Sequence, residues 1–180
     1  NVRGTHVTQK GSLVEADRLR FDFSHGQPLS REELKAVEDE VNAVIRQNTA
    51  VSTAEKSPEQ AIKDGALALF GEKYGDVVRV LTMGEALSEP KHYSMEFCGG
   101  THVARTGDIA LFTVLSESGV SAGVRRLEAT TAKAAFEHLR GQVELGQAAA
   151  DKLKAPLTEL VTRVTALQDQ RKELERDLSE

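Results

Sequence analysis

The chain has 180 residues and a net charge of −5 at pH 7, with 39% hydrophobic residues and no tryptophan. This composition is typical of a globular protein with one substantial core. The acidic balance argues against indiscriminate nucleic-acid binding, which needs many contacts between cations and phosphates. The sequence contains no apolar run of the roughly 18 residues that would cross a bilayer, and no signal peptide is visible. A single cysteine excludes an internal disulfide and fits a reducing compartment. We therefore expect a cytoplasmic protein without a membrane partner, whose contacts with RNA are local.

The start of the chain predicts a β-hairpin. Residues 12–16 and 19–23 flank a turn-like segment at 15–18. Side chains alternate along a strand, so Phe21 and Phe23 should share one face and Arg20 and Asp22 the other.

Two helices and a strand should follow the hairpin. Ser30 and Glu33 have the spacing of a capping box, and apolar residues then recur at helical spacing, so we predict a helix over 31–47. A short strand is expected at 50–55. Ser57 and Pro58 are typical of a second helix start, and we expect Gly71 to end that helix.

The central region predicts three strands. Residues 77–83 form a β-branched run, whereas 85–94 are polar and indicate a surface loop. Two more strands are expected at 109–115 and 123–130, joined at 117–119. In the last strand, Arg125 should lie on the face of Leu127 and Arg126 on the opposite face.

The last 50 residues predict helices. An alanine-rich helix should begin near Thr131, weakened by Gly141 and Gly146, and Pro156 should mark a new helix start. Seven apolar residues then follow a 3-4 spacing: Leu153, Leu157, Leu160, Val164, Leu167, Leu174 and Leu178. This spacing fits a coiled-coil seam that pairs chains into a homo-oligomer, and it fits equally an amphipathic helix packed on its own domain.

The most informative stretch runs from Met95 to Asp108. A histidine, His102, follows the only cysteine, Cys98, by four positions across two glycines. A thiolate and an imidazole at this spacing can both bind one Zn²⁺ ion. Since two glycines are unfavourable inside a helix, we expect a tight loop after a strand. Spacing alone leaves open a buried apolar cysteine beside an unrelated surface histidine, because catalytic zinc normally takes three protein ligands.

Five blocks of the sequence stand out within about residues 1–131. They are Gly4-Thr5-His6-Val7-Thr8-Gln9-Lys10-Gly11-Ser12-Leu13-Val14, Leu19-Arg20-Phe21-Asp22-Phe23-Ser24-His25, Gly65-Ala66 with Phe70-Gly71-Glu72-Lys73-Tyr74, Glu96-Phe97-Cys98-Gly99-Gly100-Thr101-His102 with Arg105-Thr106-Gly107-Asp108, and Ser116-Glu117-Ser118-Gly119 with Gly123-Val124-Arg125-Arg126-Leu127-Glu128-Ala129. In this order the blocks resemble the editing domain of alanyl-tRNA synthetases. The block around the cysteine resembles the second zinc half-motif of that domain.

The resemblance implies hydrolysis of the ester that joins a wrong amino acid, serine or glycine, to the 3′ end of tRNA(Ala). An activation pocket discriminates weakly against one added hydroxyl or a smaller substrate, so a second hydrolytic pocket is needed. The family's zinc site has four protein ligands, of which Cys98 and His102 carry over. The other two belong to a His-x-x-x-His helix that should precede Gly4, and His6 is not one of them. We therefore expect this chain to be part of a larger enzyme, to bind zinc weakly by itself and to hydrolyse poorly.

The resemblance also implies roles for residues beyond the zinc ligands. Gln9 matches a position that lines the editing pocket, where its amide would read the serine hydroxyl or hold water. Thr101, Arg105, Arg125 and Arg126 are candidates for contacts with the substrate and the tRNA acceptor end, since arginine suits phosphate. Solvated or ion-paired roles for the arginines stay open. The sequence has no glycine loop typical of ATP phosphates, so ATP and Mg²⁺ are expected only in a separate aminoacylation domain.

The expected fold is α+β: an antiparallel-rich sheet packed with helices over 1–131, followed by a C-terminal helical extension over 132–180. A freestanding trans-editing deacylase, the related threonyl-tRNA synthetase domain and a non-catalytic coiled-coil interaction module are the alternative interpretations.

Overall fold

A computed structural model describes residues 4, 7–68, 73–88 and 91–179. His6 and residues 69–72, which belong to two of the blocks quoted above, lie outside the described residues, as does Pro90. The chain divides into two compact units, residues 1–135 and 136–180. The functional domains predicted at 1–131 and 132–180 stay predictions.

The first unit contains seven strands and two complete helices among its described residues. In chain order the elements of the chain are β1 (Gln9–Val14), β2 (Leu19–Ser24), α1 (Arg31–Arg46), β3 (Ser52–Lys56), α2 (Pro58–Lys63), β4 (Val78–Glu85), β5 (His92–Phe97), a 3₁₀ helix (Thr106–Ile109), β6 (Phe112–Ser121), β7 (Val124–Thr131), α3 (Ala132–Lys152), a second 3₁₀ helix (Leu157–Glu159) and α4 (Leu160–Asp177).

The strands form two antiparallel sheets. One has four strands in the order β1-β2-β7-β6, and the other has three in the order β3-β4-β5. The predicted α+β class with antiparallel strands and helices is therefore confirmed. The one sheet that the sequence predicted is instead two sheets, and each strand belongs to one of them. Local patterns in the sequence do not specify how strands that are distant in the chain are divided between sheets.

The four-stranded sheet carries the larger core. Phe23, Leu127 and Ala129 on one face of the sheet meet Ile45 of α1, and Phe112 closes the cluster. The predicted alternation in β2 is confirmed, because the Phe21 and Phe23 rings stack with their centroids 6.2 Å apart. Helix α1 begins as predicted, since Ser30 and Glu33 form both hydrogen bonds of a capping box.

A second, smaller core lies on the three-stranded sheet. Val78 and Val80 of β4 pack with Ala61 of α2 and with Ala66. Tyr74 and Phe97 make an edge-to-face contact with ring centroids 4.9 Å apart at the border of this cluster.

Helix α1 joins the two sheets through side-chain amides. The Asn42 amide donates to the Phe112 carbonyl at 2.8 Å and accepts from the Phe112 N–H at 2.9 Å. The Gln47 amide makes the equivalent pair of bonds with the backbone of Glu85, both at 2.8 Å. The Asn42 amide takes the place of a neighbouring strand at the edge strand β6, and the Gln47 amide does so at the end of β4, past the last residue that pairs with β3. The end of α1 is therefore bonded to both sheets.

Three predicted boundaries are wrong. Helix α2 ends at Lys63, and Gly65 at φ +97° follows it, so Gly71 does not end the helix. The segment predicted as a loop over 85–94 includes the start of β5 at His92. Strands β6 and β7 are joined by Ala122 and Gly123, because β6 continues to Ser121 through the predicted turn at 117–119.

The second unit is helical. Gly141 and Gly146 do not interrupt α3, and Gly146 lies close to Leu157, whose Cδ1 would be 3.2 Å from an added Cβ. Leu153 and Leu157 precede α4, while Leu174 and Leu178 are exposed. Pairing of chains through a coiled coil stays a prediction. Within the described residues, no helix has the length and apolar character that a membrane span requires.

Candidate metal and substrate site

The structure brings Cys98 and His102 together. Cys98 directly follows β5, and the loop turns back at Gly99 and Gly100 so that Cys98 Sγ lies 3.3 Å from His102 Nε2. The cysteine is half-buried and the histidine is exposed. An added Cβ on Gly100 would lie 3.8 Å from both Sγ and His102 Cε1. The predicted tight loop after a strand is therefore confirmed, and the two side chains converge inside it.

Arg79 of β4 holds the start of this loop. Its carbonyl accepts a hydrogen bond from the Cys98 N–H at 3.1 Å, which extends the β4–β5 ladder by one residue. Its guanidinium Nη1 donates to the carbonyls of Cys98 at 3.1 Å and Gly100 at 2.6 Å. Sequence reasoning missed this residue. The available signal was an arginine between Val78 and Val80 of an apolar strand, where a cation needs a partner.

The far end of the loop is fastened to the segment that follows α1. Val51 N–H donates to the Ala104 carbonyl and Thr106 N–H to the Thr49 carbonyl, both at 2.9 Å. The Thr106 side chain is 1% exposed, and its hydroxyl accepts from the Thr49 N–H at 3.0 Å. The loop that carries Cys98 and His102 is therefore anchored on both sides.

The two side chains fit half of a tetrahedral zinc site. Bond lengths of about 2.3 Å to sulfur and about 2.0 Å to nitrogen at a tetrahedral angle put the two donors about 3.5 Å apart. The observed 3.3 Å is close to that separation. In the part of the chain that the structure describes, no third histidine, cysteine or carboxylate completes a cluster. Zinc would therefore need donors beyond these residues.

Gln9 lies in the other sheet. It pairs with Phe23 of β2, which in turn pairs with Arg125 of β7, so the three residues form one row across the four-stranded sheet. Residues directly opposite each other in antiparallel strands share a face. The Gln9 amide is exposed and donates to Ser12 Oγ at 3.2 Å. Its role in a pocket with Cys98 and His102 stays a prediction.

Arg125 and Arg126 point to opposite faces of β7, as the alternation predicts, and each meets a carboxylate. Arg125 contacts Glu117 through two nitrogens, with Nη2 2.6 Å from Oε2, and Arg126 contacts Asp22 at 2.7 and 2.8 Å. The hydrogen bond that Arg126 donates lowers the pKa of Asp22, and the hydrogen bonds that Glu117 and Asp22 accept raise the pKa of Arg125 and Arg126. Both arginine charges are compensated within the chain.

Arg105 differs from the other two arginines in its partner. Its guanidinium Nε donates to Asn48 Oδ1 at 3.0 Å, and Nη2 donates to the Asn48 carbonyl. These acceptors are neutral, so they orient the guanidinium without neutralising it. Arg105 is exposed three residues after His102, and Thr101 is exposed beside that histidine. Of the three arginines, Arg105 therefore lies nearest in the chain to the paired cysteine and histidine.

Comparisons with known proteins identify the family. The family described as the threonyl and alanyl tRNA synthetase second additional domain matches residues 78–128, a range that includes Cys98 and His102. The chain is similar along 100% of its length to the alanine–tRNA ligases of Caulobacter sp. (strain K31) and Caulobacter vibrioides, each at 59% identity. It is also 57% identical over 99% of its length to that of Hyphomonas neptunium. The chain belongs to the alanyl-tRNA synthetase family.

The chain spans only part of these alanyl-tRNA synthetase relatives. It covers 20% of the K31 and Hyphomonas proteins and 21% of the Caulobacter vibrioides protein. The similarity reaches the second unit as well as the two sheets, so the C-terminal helices belong to the same family segment.

Proposed function

We propose that this segment hydrolyses the ester between a wrongly attached amino acid, serine or glycine, and the 3′ end of tRNA(Ala). The observation that carries the proposal is the convergence of Cys98 Sγ and His102 Nε2 at 3.3 Å on a double-glycine loop. This loop lies inside the range that matches the synthetase family. The half-buried Cys98 thiol contacts the exposed His102 imidazole. This contact favours a chemical role for the cysteine over simple packing of an apolar side chain.

Zinc is the metal that this donor set favours, since thiolate and imidazole ligands are those it prefers. When bound, zinc would activate water, polarise the ester carbonyl or anchor the substrate amine or hydroxyl. The remaining donors are those of the His-x-x-x-His helix that the resemblance implies. We propose the tRNA substrate and these two further donors together with the hydrolysis.

The chain's own residues would bind and orient the substrate. The double glycine lets the 3′ end of the tRNA approach the main chain closely. Gln9 donates one amide hydrogen to Ser12 Oγ, and its side-chain carbonyl oxygen would accept a hydrogen bond from the hydroxyl of a serine substrate. Arg105, whose guanidinium donates to neutral acceptors on Asn48, is favoured for an acceptor-end phosphate over Arg125 and Arg126, which pair with carboxylates.

The similarity to alanine–tRNA ligases along the whole chain, including residues 136–180, supports a synthetase segment over a freestanding deacylase. ATP and Mg²⁺ then belong to the aminoacylation part of the relatives. The alternative is a non-catalytic interaction module that pairs through α4. Release of serine in the assay below would exclude a non-catalytic module, and absence of release would favour it.

The test is deacylation of seryl-tRNA(Ala) and alanyl-tRNA(Ala) by this chain preceded by the His-x-x-x-His helix. We expect release of serine and little release of alanine. Cys98→Ala and His102→Ala should abolish the release. His92→Ala is the matched control, because His92 is an exposed histidine at the other end of β5. Absence of serine release, or equal release by His102→Ala, would eliminate the enzymatic proposal.

A further inference from the structure

Arg79 is the residue whose contacts best explain how the loop reaches its conformation. It belongs to β4, the central strand of the three-stranded sheet, and is flanked by the buried Val78 and Val80. Its own backbone is held on one side by β3, where it pairs with Glu55. The main chain of Arg79 is therefore a fixed part of the sheet.

The Arg79 side chain connects this fixed main chain to the loop. One guanidinium nitrogen donates to the carbonyls of Cys98 and Gly100, which lie on either side of Gly99. With the hydrogen bond from the Cys98 N–H to the Arg79 carbonyl, three contacts join one residue to the turn. A glycine pair without such contacts would sample many conformations, because glycine has the largest backbone freedom.

A charged donor suits this task better than a neutral one. Hydrogen bonds from a guanidinium are stronger than those from an uncharged group, and the planar group keeps its nitrogens at fixed angles. The carbonyl partners carry no charge, so the contact leaves the guanidinium positive beside the loop.

We propose that Arg79 is a positioning residue, whose guanidinium fixes the Gly99–Gly100 turn and so brings Cys98 Sγ and His102 Nε2 together. Arg79 acts through the loop backbone and does not touch the reacting atoms. The consequence for catalysis rests on the proposed function, whereas the consequence for the loop geometry does not.

The test measures the proximity of the two side chains by NMR in this chain, without metal or substrate. The nuclear Overhauser effect between the Cys98 β-protons and the His102 ε1 proton should be present in the unmodified chain. It should be lost in Arg79→Met, which keeps the aliphatic stem and removes both hydrogen bonds. Lys56→Met is the matched control, because Lys56 is a half-buried cation of the same sheet that pairs with Asp64 and not with the loop.

Arg79→Gln keeps the proposal testable if the methionine variant does not fold, since glutamine is polar but too short to reach both carbonyls. In either folded variant, an undiminished Cys98–His102 signal overturns the proposal. If the signal is lost, deacylation by the extended protein is measured next. A misplaced loop should then lower kcat by up to about 100-fold with a smaller change in KM. Loss of the signal in a protein that never deacylates seryl-tRNA would retain the role of Arg79 and reject the proposed function.

Discussion

Thr106 fastens the segment after His102 to the end of α1, and replacing it by valine tests that role. The side chain is 1% exposed. Its Oγ1 accepts from the Thr49 N–H at 3.0 Å and donates to the Ile45 carbonyl at 3.4 Å. Valine has nearly the same shape but leaves the Thr49 N–H without this acceptor. A buried donor without a partner costs about 1–3 kcal/mol, so we expect Thr106→Val to lower the free energy of unfolding by about 2 kcal/mol.

Thr106→Ser is the matched variant. It retains the hydroxyl and both hydrogen bonds and removes only a methyl group. Loss of one buried carbon and the small cavity it leaves should cost about 1 kcal/mol. Urea unfolding followed by tyrosine fluorescence measures the first unit alone, because Tyr74 and Tyr93 are the only tyrosines and both lie in it. A serine variant less stable than the valine variant would refute the assignment of Thr106 to hydrogen bonding.

Two further predictions concern the same unit. Gly84→Ala should cost more than about 2 kcal/mol, because Gly84 has φ +68° and an added Cβ would lie 2.4 Å from a methyl of α1. Gly26→Ala, with nothing within 4 Å of its Cβ, should be nearly neutral in the same urea assay. Asp22→Asn should destabilise the unit at neutral pH, because Arg126 lowers the pKa of Asp22 in the folded state. The stability that the Asp22–Arg126 pair contributes is complete above the pKa of about 3.9 that an aspartate has in the unfolded chain. It is lost as the pH falls through the lower pKa that Asp22 has in the folded protein. The difference in unfolding free energy between the two proteins should therefore narrow below about pH 3.9, and a constant difference would contradict it. Asp39→Asn, at an exposed position, is the control for the change in net charge.

Local patterns predicted the elements whose signals lie within a few residues. The capping box at Ser30 and Glu33 fixed the start of α1, and the alternation in β2 placed Phe21 and Phe23 correctly. The tight loop after Phe97 followed from two glycines that disfavour a helix. In each case the responsible contacts are between neighbours in the sequence.

Contacts between distant residues were beyond these patterns. The turn predicted at 117–119 is part of β6, because Glu117 meets Arg125 across the strand pair and a two-residue loop at Ala122 and Gly123 closes the hairpin. Arg79 reaches a carbonyl 21 residues away. Such contacts depend on strand register, which local propensity does not set. The resemblance to the family pointed to Cys98 and His102. Only the structure showed that contacts from Arg79 and Thr106 hold the loop that carries them.

The proposed role of Cys98 and His102 as ligands of one metal is tested most directly with Co²⁺, whose bond to a thiolate gives an absorption band in the near ultraviolet. Titration of the protein that carries the upstream His-x-x-x-His helix should produce this band with one metal per chain. The band should be absent in Cys98→Ser, and much more Co²⁺ should be needed to produce it in His102→Ala or in this chain alone. Tight binding of one metal by this chain alone would contradict the expectation that it lacks two ligands. An unchanged titration in His102→Ala would contradict the shared metal site itself.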